Sequence, residues 1–248
     1  MKTGALERVV DYILLFIIIV VAWQSLAWYG SNTSFASPLA TLRVLVQQLY
    51  SPVFWEHVQA SLEALWLSVV LGVGGGLAIG IVLGLTKRLG RVLEPILVSL
   101  YSLPKITLYP LVLLTFGLGI SAKVAYGVMH GIIPVILVTV TSLQQIKPIY
   151  FRTARVLHVS PLKLVRTIVV PATLPDLVLA LRLGFSLSLL GVLIGEMFAS
   201  KRGLGFLVMN AVEFNNVPLV MSVIIVLFTF ALGVNGILLW WSRRFARQ

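Results

Sequence analysis

The sequence predicts an all-α, polytopic membrane protein with six transmembrane helices. Three observations carry that expectation. The 248-residue chain is 59% hydrophobic and only 11% charged, with a mean hydropathy of +1.02. Soluble domains carry roughly 25% charged and about 45–50% apolar residues. The apolar residues fall in continuous runs of about twenty, the length that crosses ~30 Å of hydrocarbon as a helix. A spanning β-strand would alternate apolar and polar residues instead. Finally, lysine and arginine gather in alternate connections between the runs, as they do on one face of a bilayer.

The six runs are, in order, 9–29, 61–85, 92–116, 122–143, 177–199 and 218–241. The first has a signal peptide as its alternative reading, with Ser34-Phe35-Ala36 as a poor cleavage site. Its long apolar core and the interfacial anchors Trp23, Trp28 and Tyr29 favour a retained span. Six spans place both termini on one side. That side holds Lys2, Arg8, Lys87, Arg88, Arg91, the Lys147 to Arg166 cluster, Arg182, Arg243, Arg244 and Arg247. The other holds only Arg43, Lys123, Lys201 and Arg202. Both termini are therefore expected in the cytoplasm. Outside lie the connections 30–60 and 200–217 and a tight turn at 117–121. Residues 208–216 (VMNAVEFNN) read as either a short interfacial helix or a loop.

The same composition excludes several function classes. The net charge of +11 is spread among short loops between apolar helices, so it marks orientation in a lipid bilayer and not a nucleic-acid partner. The length suits one membrane domain, residues 1–248, with no sizeable soluble one. Without cysteine there is no disulfide, Cys-ligated zinc site or thiol nucleophile. His57, His130 and His158 lack metal-ligand spacing, and there is no G-x-x-x-x-G-K-[ST] phosphate loop. No catalytic residue and no cofactor bound by this chain are expected.

Small residues within the spans point to close packing. Gly72-Val-Gly-Gly-Gly76 lets helix backbones approach. Gly184, Gly191 and Gly195 mark a second tight interface, either the wall of a translocation path or a seam between two copies. Two ionisable residues at membrane depth are candidate pathway residues. Glu196 either snorkels to the outer interface or faces an aqueous path. Lys105 follows Pro104, which frees a backbone carbonyl mid-span. It either attracts an anion in the path or is structural, paired to carbonyls, Glu94 or Glu196.

One polar, basic loop interrupts the apolar sequence at 147–175. It carries Lys147, Arg152, Arg155, Lys163 and Arg166, with no acid before Asp176. Ser160-Pro161 is a helix-start signal, and Pro171 and Pro175 stop or kink the helix that it starts. Residues 149–157 have helical character. The loop thus reads as two short helices broken near His158-Val159, a compact knob suited to docking a partner. An ordinary cytoplasmic loop is the plainer alternative.

Here the chain resembles the permeases of ABC importers. Their cytoplasmic motif, EAA-x3-G-x9-I-x-L-P, falls without a gap on Arg152 to Pro171. Ala154, Ile168 and Pro171 match, and Val170 stands for Leu. Arg152 replaces Glu, Thr153 replaces Ala and His158 replaces Gly. The last departure removes the residue best suited to a tight turn. YSLPKITLYPLVLLTFGLG (101–119), LRLGFSLSLLGVLIGEMFAS (181–200) and GLGFL (203–207) resemble the nitrate/sulfonate/taurine/bicarbonate branch.

The resemblance implies a type I importer fold and a permease subunit of an ATP-driven importer for a small anion. It also implies a second permease copy, two cytoplasmic ATP-binding subunits that hold ATP and Mg, and an extracytoplasmic substrate-binding protein. The location implied is the bacterial inner membrane. Carried over by position, the ATPase-coupling candidates are Arg152, Thr153, Ala154, Arg155, His158 and Ser160, while Ile168 and Pro171 shape the return to the membrane. Two rivals use the same features. One is an ATP-independent six-helix carrier or channel, although no inverted repeat is evident between 1–116 and the remainder. The other is a membrane scaffold that recruits a cytosolic partner.

Overall fold

The computed structural model describes residues 5–29 and 35–245. Lys2 and Arg247 of the orientation argument, and Ser34 of the cleavage motif, lie outside the described residues. The elements are α1 (Ala5–Tyr29), α2 (Pro38–Leu49), α3 (Pro52–Leu85), α4 (Lys87–Ser102), a 3-10 turn (Lys105–Leu108), α5 (Tyr109–Phe116) and α6 (Ile120–Gln145). They continue with α7 (Pro148–Val156), α8 (Pro161–Leu164), a π-helical turn (Val165–Val169), α9 (Val170–Ala199), α10 (Leu204–Glu213) and α11 (Val217–Phe245). Among the described residues there are no strands. Five helices are long and apolar enough to cross a membrane, or six if one bent pair counts as a span.

The core is a three-helix seam of α3, α6 and α9, the most extensive packing in the molecule. Small residues explain it. Gly72, Gly76, Gly80 and Gly84 recur every fourth residue along α3 and all are buried. A Cβ on Gly76 would lie 2.9 Å from both the Ile132 carbonyl and the Val135 side chain, closer than packed atoms tolerate. α6 answers with Gly127 and Gly131, and α9 with Gly184, Gly191 and Gly195. Gly191 packs on the Tyr126 backbone and Gly195 on Lys123. The glycines of the fifth run therefore form an intramolecular seam. They are neither a path wall nor an interface between copies, because helices of the same chain already cover them. α1 lies apart, with 6% of its span window buried. It is tied by the Trp23 indole N–H, which donates to the Ala36 carbonyl at 2.9 Å.

Three expectations need correction. The second run begins nine residues early, at Pro52 instead of 61, because Ser51-Pro52 starts a helix that carries His57 and Ser61 inside the protein. The 30–60 connection consequently contains α2 and the first turns of α3. The third run is not one continuous helix. It breaks between Ser102 and Lys105 with a bend of 85°. Pro104 lacks an N–H and disfavours helical geometry at the residue before it. Leu103 accordingly sits at φ −65°, ψ 135°.

The third correction concerns Pro171 and Pro175. Of the two expected alternatives, stop or kink, the stop is excluded, because neither proline ends the segment it sits in. Helical structure runs from Pro161 to Ala199, with the π turn just before Pro171. Such a wider turn is where a helix absorbs residues that break its hydrogen-bond ladder. The open question at 208–216 resolves as a helix, α10, followed by a turn in which Asn215 adopts φ 52°.

Candidate functional site

The basic loop folds as a helical knob. Pro148 occupies the first turn of α7, where its missing N–H costs nothing. α7 ends in a tight turn. Leu157 N–H donates to the Thr153 carbonyl, His158 N–H to the Arg155 carbonyl and Val159 N–H to the Ala154 carbonyl, at 2.9, 3.1 and 2.9 Å. His158 makes this turn possible by adopting φ 49°. That is the left-handed region glycine enters freely and other residues enter at a cost of roughly 1–2 kcal/mol. The sequence departs from glycine here, yet the backbone keeps the glycine conformation. Ser160 then offers its carbonyl to the Leu164 N–H at 2.9 Å, opening α8.

The knob sorts the expected coupling residues by orientation. Arg152, Thr153, Arg155, His158 and Ser160 are exposed. Ala154 is only 4% exposed, so its own chain covers it and it seats the knob instead of presenting a contact. Ile168 is half-buried within the π turn, and Pro171 is exposed at the start of α9. Phe151 anchors the assembly against the buried cluster of Leu143, Ile146 and Val169. Ser142 at the end of α6 donates to the Asp176 carboxylate at 2.7 Å, fixing the first turns of α9 beside it.

The two pathway candidates sit in different surroundings. Lys105 is half-buried at the bend. Its Nζ donates to the Tyr101 carbonyl at 3.1 Å and lies 4.8 Å above the Tyr101 ring. In a continuous helix the Lys105 backbone N–H would serve that carbonyl. Its side chain replaces the bond that Pro104 interrupts. Beyond the bend, Tyr109 packs edge-on against Tyr126, whose ring lies 4.6 Å from that of His130. Neither Glu94 nor Glu196 pairs with Lys105.

Glu196 does not snorkel. It is fully buried near the end of α9 and joins three helices to α10. Its carboxylate accepts from Ser61 Oγ at 2.7 and 2.9 Å and from the Gly205 backbone N–H at 2.9 Å. Lys123 Nζ lies 3.6 Å away and also donates to the Arg202 carbonyl at 2.7 Å. Leu204 N–H donates to Ser61 Oγ at 2.7 Å and Gly203 N–H to His57 Nδ1 at 3.1 Å. Side chains from α3, α6 and α9 thus satisfy the backbone groups that open α10, which no helix can satisfy internally. Gly203, at φ 126°, has no room for a Cβ, which would fall inside the Glu196 carboxyl group. Sequence reasoning assigns no such role to His57, Ser61 or Lys123. The one local signal is the i, i+4 spacing of His57 and Ser61, which shares a helix face.

A bundle of long apolar helices around a small-residue seam, with a helical knob at one end, defines a polytopic membrane protein. Residues 76–247 match the family described as binding-protein-dependent transport system inner membrane component, and the chain belongs to that family. It is 28% identical over 240 residues to a protein of Haemophilus influenzae named as an ABC transporter permease, covering 96% of this chain and 97% of that one. It is 29% identical to the aliphatic sulfonates transport permease protein SsuC of Bacillus subtilis, covering 86% of this chain and 78% of that one. An inward-facing structure of the MetNI methionine ABC transporter superposes with a TM-score of 0.56 at 18% identity, over 78% of this chain and 92% of that one. The type I importer fold is thereby established. The ATP-independent carrier is not favoured.

Proposed function

We propose that residues 1–248 act as one permease domain of an ATP-driven importer for a small anion of the sulfonate, nitrate or bicarbonate class. The observation that supports this reading best is the knob. It is cationic, built on a turn held at a cost in backbone energy, and presents Arg152, Thr153, Arg155, His158 and Ser160 outward. Two copies enclose the path. Two cytoplasmic ATPases, which carry the ATP and Mg, press on the knobs, and an external binding protein delivers the anion. The chain lies in the bacterial inner membrane with both termini cytoplasmic, a placement that the lysine and arginine asymmetry supports. It does no covalent chemistry and alternates access.

Ile168 and Pro171 sit at the return of the knob into α9 and relay its motion through the π turn. Lys105 and Pro104 form the bend of the path wall, where a cation in a low-dielectric surround acts strongly on a passing anion. Glu196 locks the outer end and does not touch substrate. The deciding experiment is uptake in reconstituted vesicles with candidate ATPase and binding protein. Flux of a small anion that requires MgATP supports the proposal, whereas gradient-driven flux without ATPase overturns it. Lys105→Met is expected to reduce anion flux while leaving the complex assembled. Self-crosslinking of cysteines placed on exposed positions of this natively cysteine-free chain tests the two-copy arrangement.

A further inference from the structure

Between the knob and the ends of α3 and α6 lies a cleft that two of the coupling candidates, Arg152 and Arg155, also line. It has a volume of about 350 Å³, within the range of small-molecule sites, roughly 300–1,000 Å³. Its floor is apolar, formed by Leu85 at the end of α3, Leu143 near the end of α6, Ile146 and Phe151. Its rim carries Arg152 and Arg155, one helical turn apart on α7. α3 and α6, both long and apolar enough to cross a membrane, end beside it at Leu85 and Gln145, which on the orientation given above is the level of the cytoplasmic headgroups. Arg166, Lys163 and Lys147 add positive charge along the same segment, and no acid appears in it before Asp176.

We propose that this cleft is a binding site for one anionic phospholipid. Its phosphate is held by the paired guanidiniums, and its glycerol and first acyl carbons rest on the apolar floor. Charge complementarity argues for this occupant. Guanidinium forks match phosphate oxygens in a bidentate way, and basic pockets between helices at the cytoplasmic face suit anionic headgroups. A free anion would use the rim alone and leave the floor wet. A lipid uses both. The bound lipid wedges the knob against the ends of α3 and α6, so the membrane's anionic content sets how firmly the coupling element is held. The proposal rests on the orientation given above but not on the identity of the transported solute.

The test uses the purified permease without any ATPase. Retention of phosphatidylglycerol is measured by native mass spectrometry against phosphatidylcholine at equal concentration. The wild type and Arg166→Gln, an exposed position outside the cleft with the same loss of charge, are expected to retain phosphatidylglycerol at least tenfold over phosphatidylcholine. Arg152→Gln/Arg155→Gln is expected to lose that preference. Arg152→Lys/Arg155→Lys, which keeps charge but not the fork, is expected to recover part of it, with an unchanged helical circular-dichroism signal in all four proteins.

Equal retention in wild type and the double glutamine variant overturns the proposal. Displacement of the lipid by millimolar inorganic phosphate also overturns it, in favour of a free-anion site. ATPase co-purification with the same variants separates this reading from the coupling one. Lost ATPase with retained lipid leaves coupling standing and sinks the lipid site. Lost lipid with retained ATPase does the reverse.

Discussion

The two ends of α9 solve the same problem in opposite ways. At one end the chain must leave Ala199 and start α10; at the other it must leave α7, turn and enter the helical run at Pro161. The α9–α10 junction is stitched by side chains from α3, α6 and α9 itself. His57, Ser61, Lys123 and Glu196 bond four consecutive residues, Arg202 to Gly205. The knob turns on its own backbone hydrogen bonds and on the left-handed His158. The first arrangement is buried and fixes a geometry. The second is exposed and leaves its side chains free to meet something else. The first junction is cross-linked through the core and the second is not, as the proposed docking role of the knob needs.

The largest break in this contrast is expected at Glu196. Glu196→Ala leaves the Lys123 ammonium buried without its carboxylate and the Gly205 N–H without its acceptor. Losing one partner of a buried pair costs about 3–5 kcal/mol. The detergent-extracted permease should lose on the order of 10 °C in apparent Tm by the scaling of chains this size. Lys123→Met in the same background should return part of the loss, a coupling of about 1–3 kcal/mol. A melting curve unchanged by Glu196→Ala would refute the cross-linked junction.

Next comes the seam. Gly76→Leu forces atoms into space held by Ile132 and Val135, and overpacking of this kind costs about 1–3 kcal/mol. Gly233→Leu on α11, where a Cβ meets nothing within 4 Å, should melt with the wild type. Inverting the knob's charges sharpens the comparison from the other side. Arg152→Glu/Arg155→Glu should change stability by less than about 0.5 kcal/mol, as exposed substitutions do, while abolishing ATPase co-purification and uptake. A complex that survives this double reversal would remove the coupling assignment.

The smallest effect is expected at His158. His158→Gly removes the left-handed cost of about 1–2 kcal/mol and adds back about 0.5–1 kcal/mol of chain entropy. Hydrogen exchange at the Val159 amide should slow by a few-fold. Faster exchange would show that the imidazole itself holds the turn.

Much of this was legible in the residues, for reasons that can be named. The spans and the knob show because continuous apolar runs, Ser160-Pro161 and clustered basic residues are local signals. The bend at Pro104 was half legible: proline announces a freed carbonyl but not that the chain will turn by 85°. Glu196 reads from sequence as interfacial or path-facing, because its partners lie on α3 and α6 and in the Gly203–Gly205 turn. Ser61 is 135 residues away in the chain, and no spacing rule reaches that far. The glycines of α9 were legible as a close approach but not as to which helix approaches. Whether the helix stops or passes at Pro171 and Pro175 stayed open in the sequence because a π turn has no signature of its own.

The glycine seam also governs how this molecule can deform. Where backbones touch with no side chain between them, one helix cannot slide a turn along its neighbour without driving a branched residue into a slot sized for hydrogen. α3, α6 and α9 are therefore keyed together and turn as one block. Compliance has to reside elsewhere, at the interrupted hydrogen bonds of the Pro104 bend and in the wide π turn below Pro171. A ratchet of helices is forbidden by this construction, and a rocking body with two hinges is what it leaves.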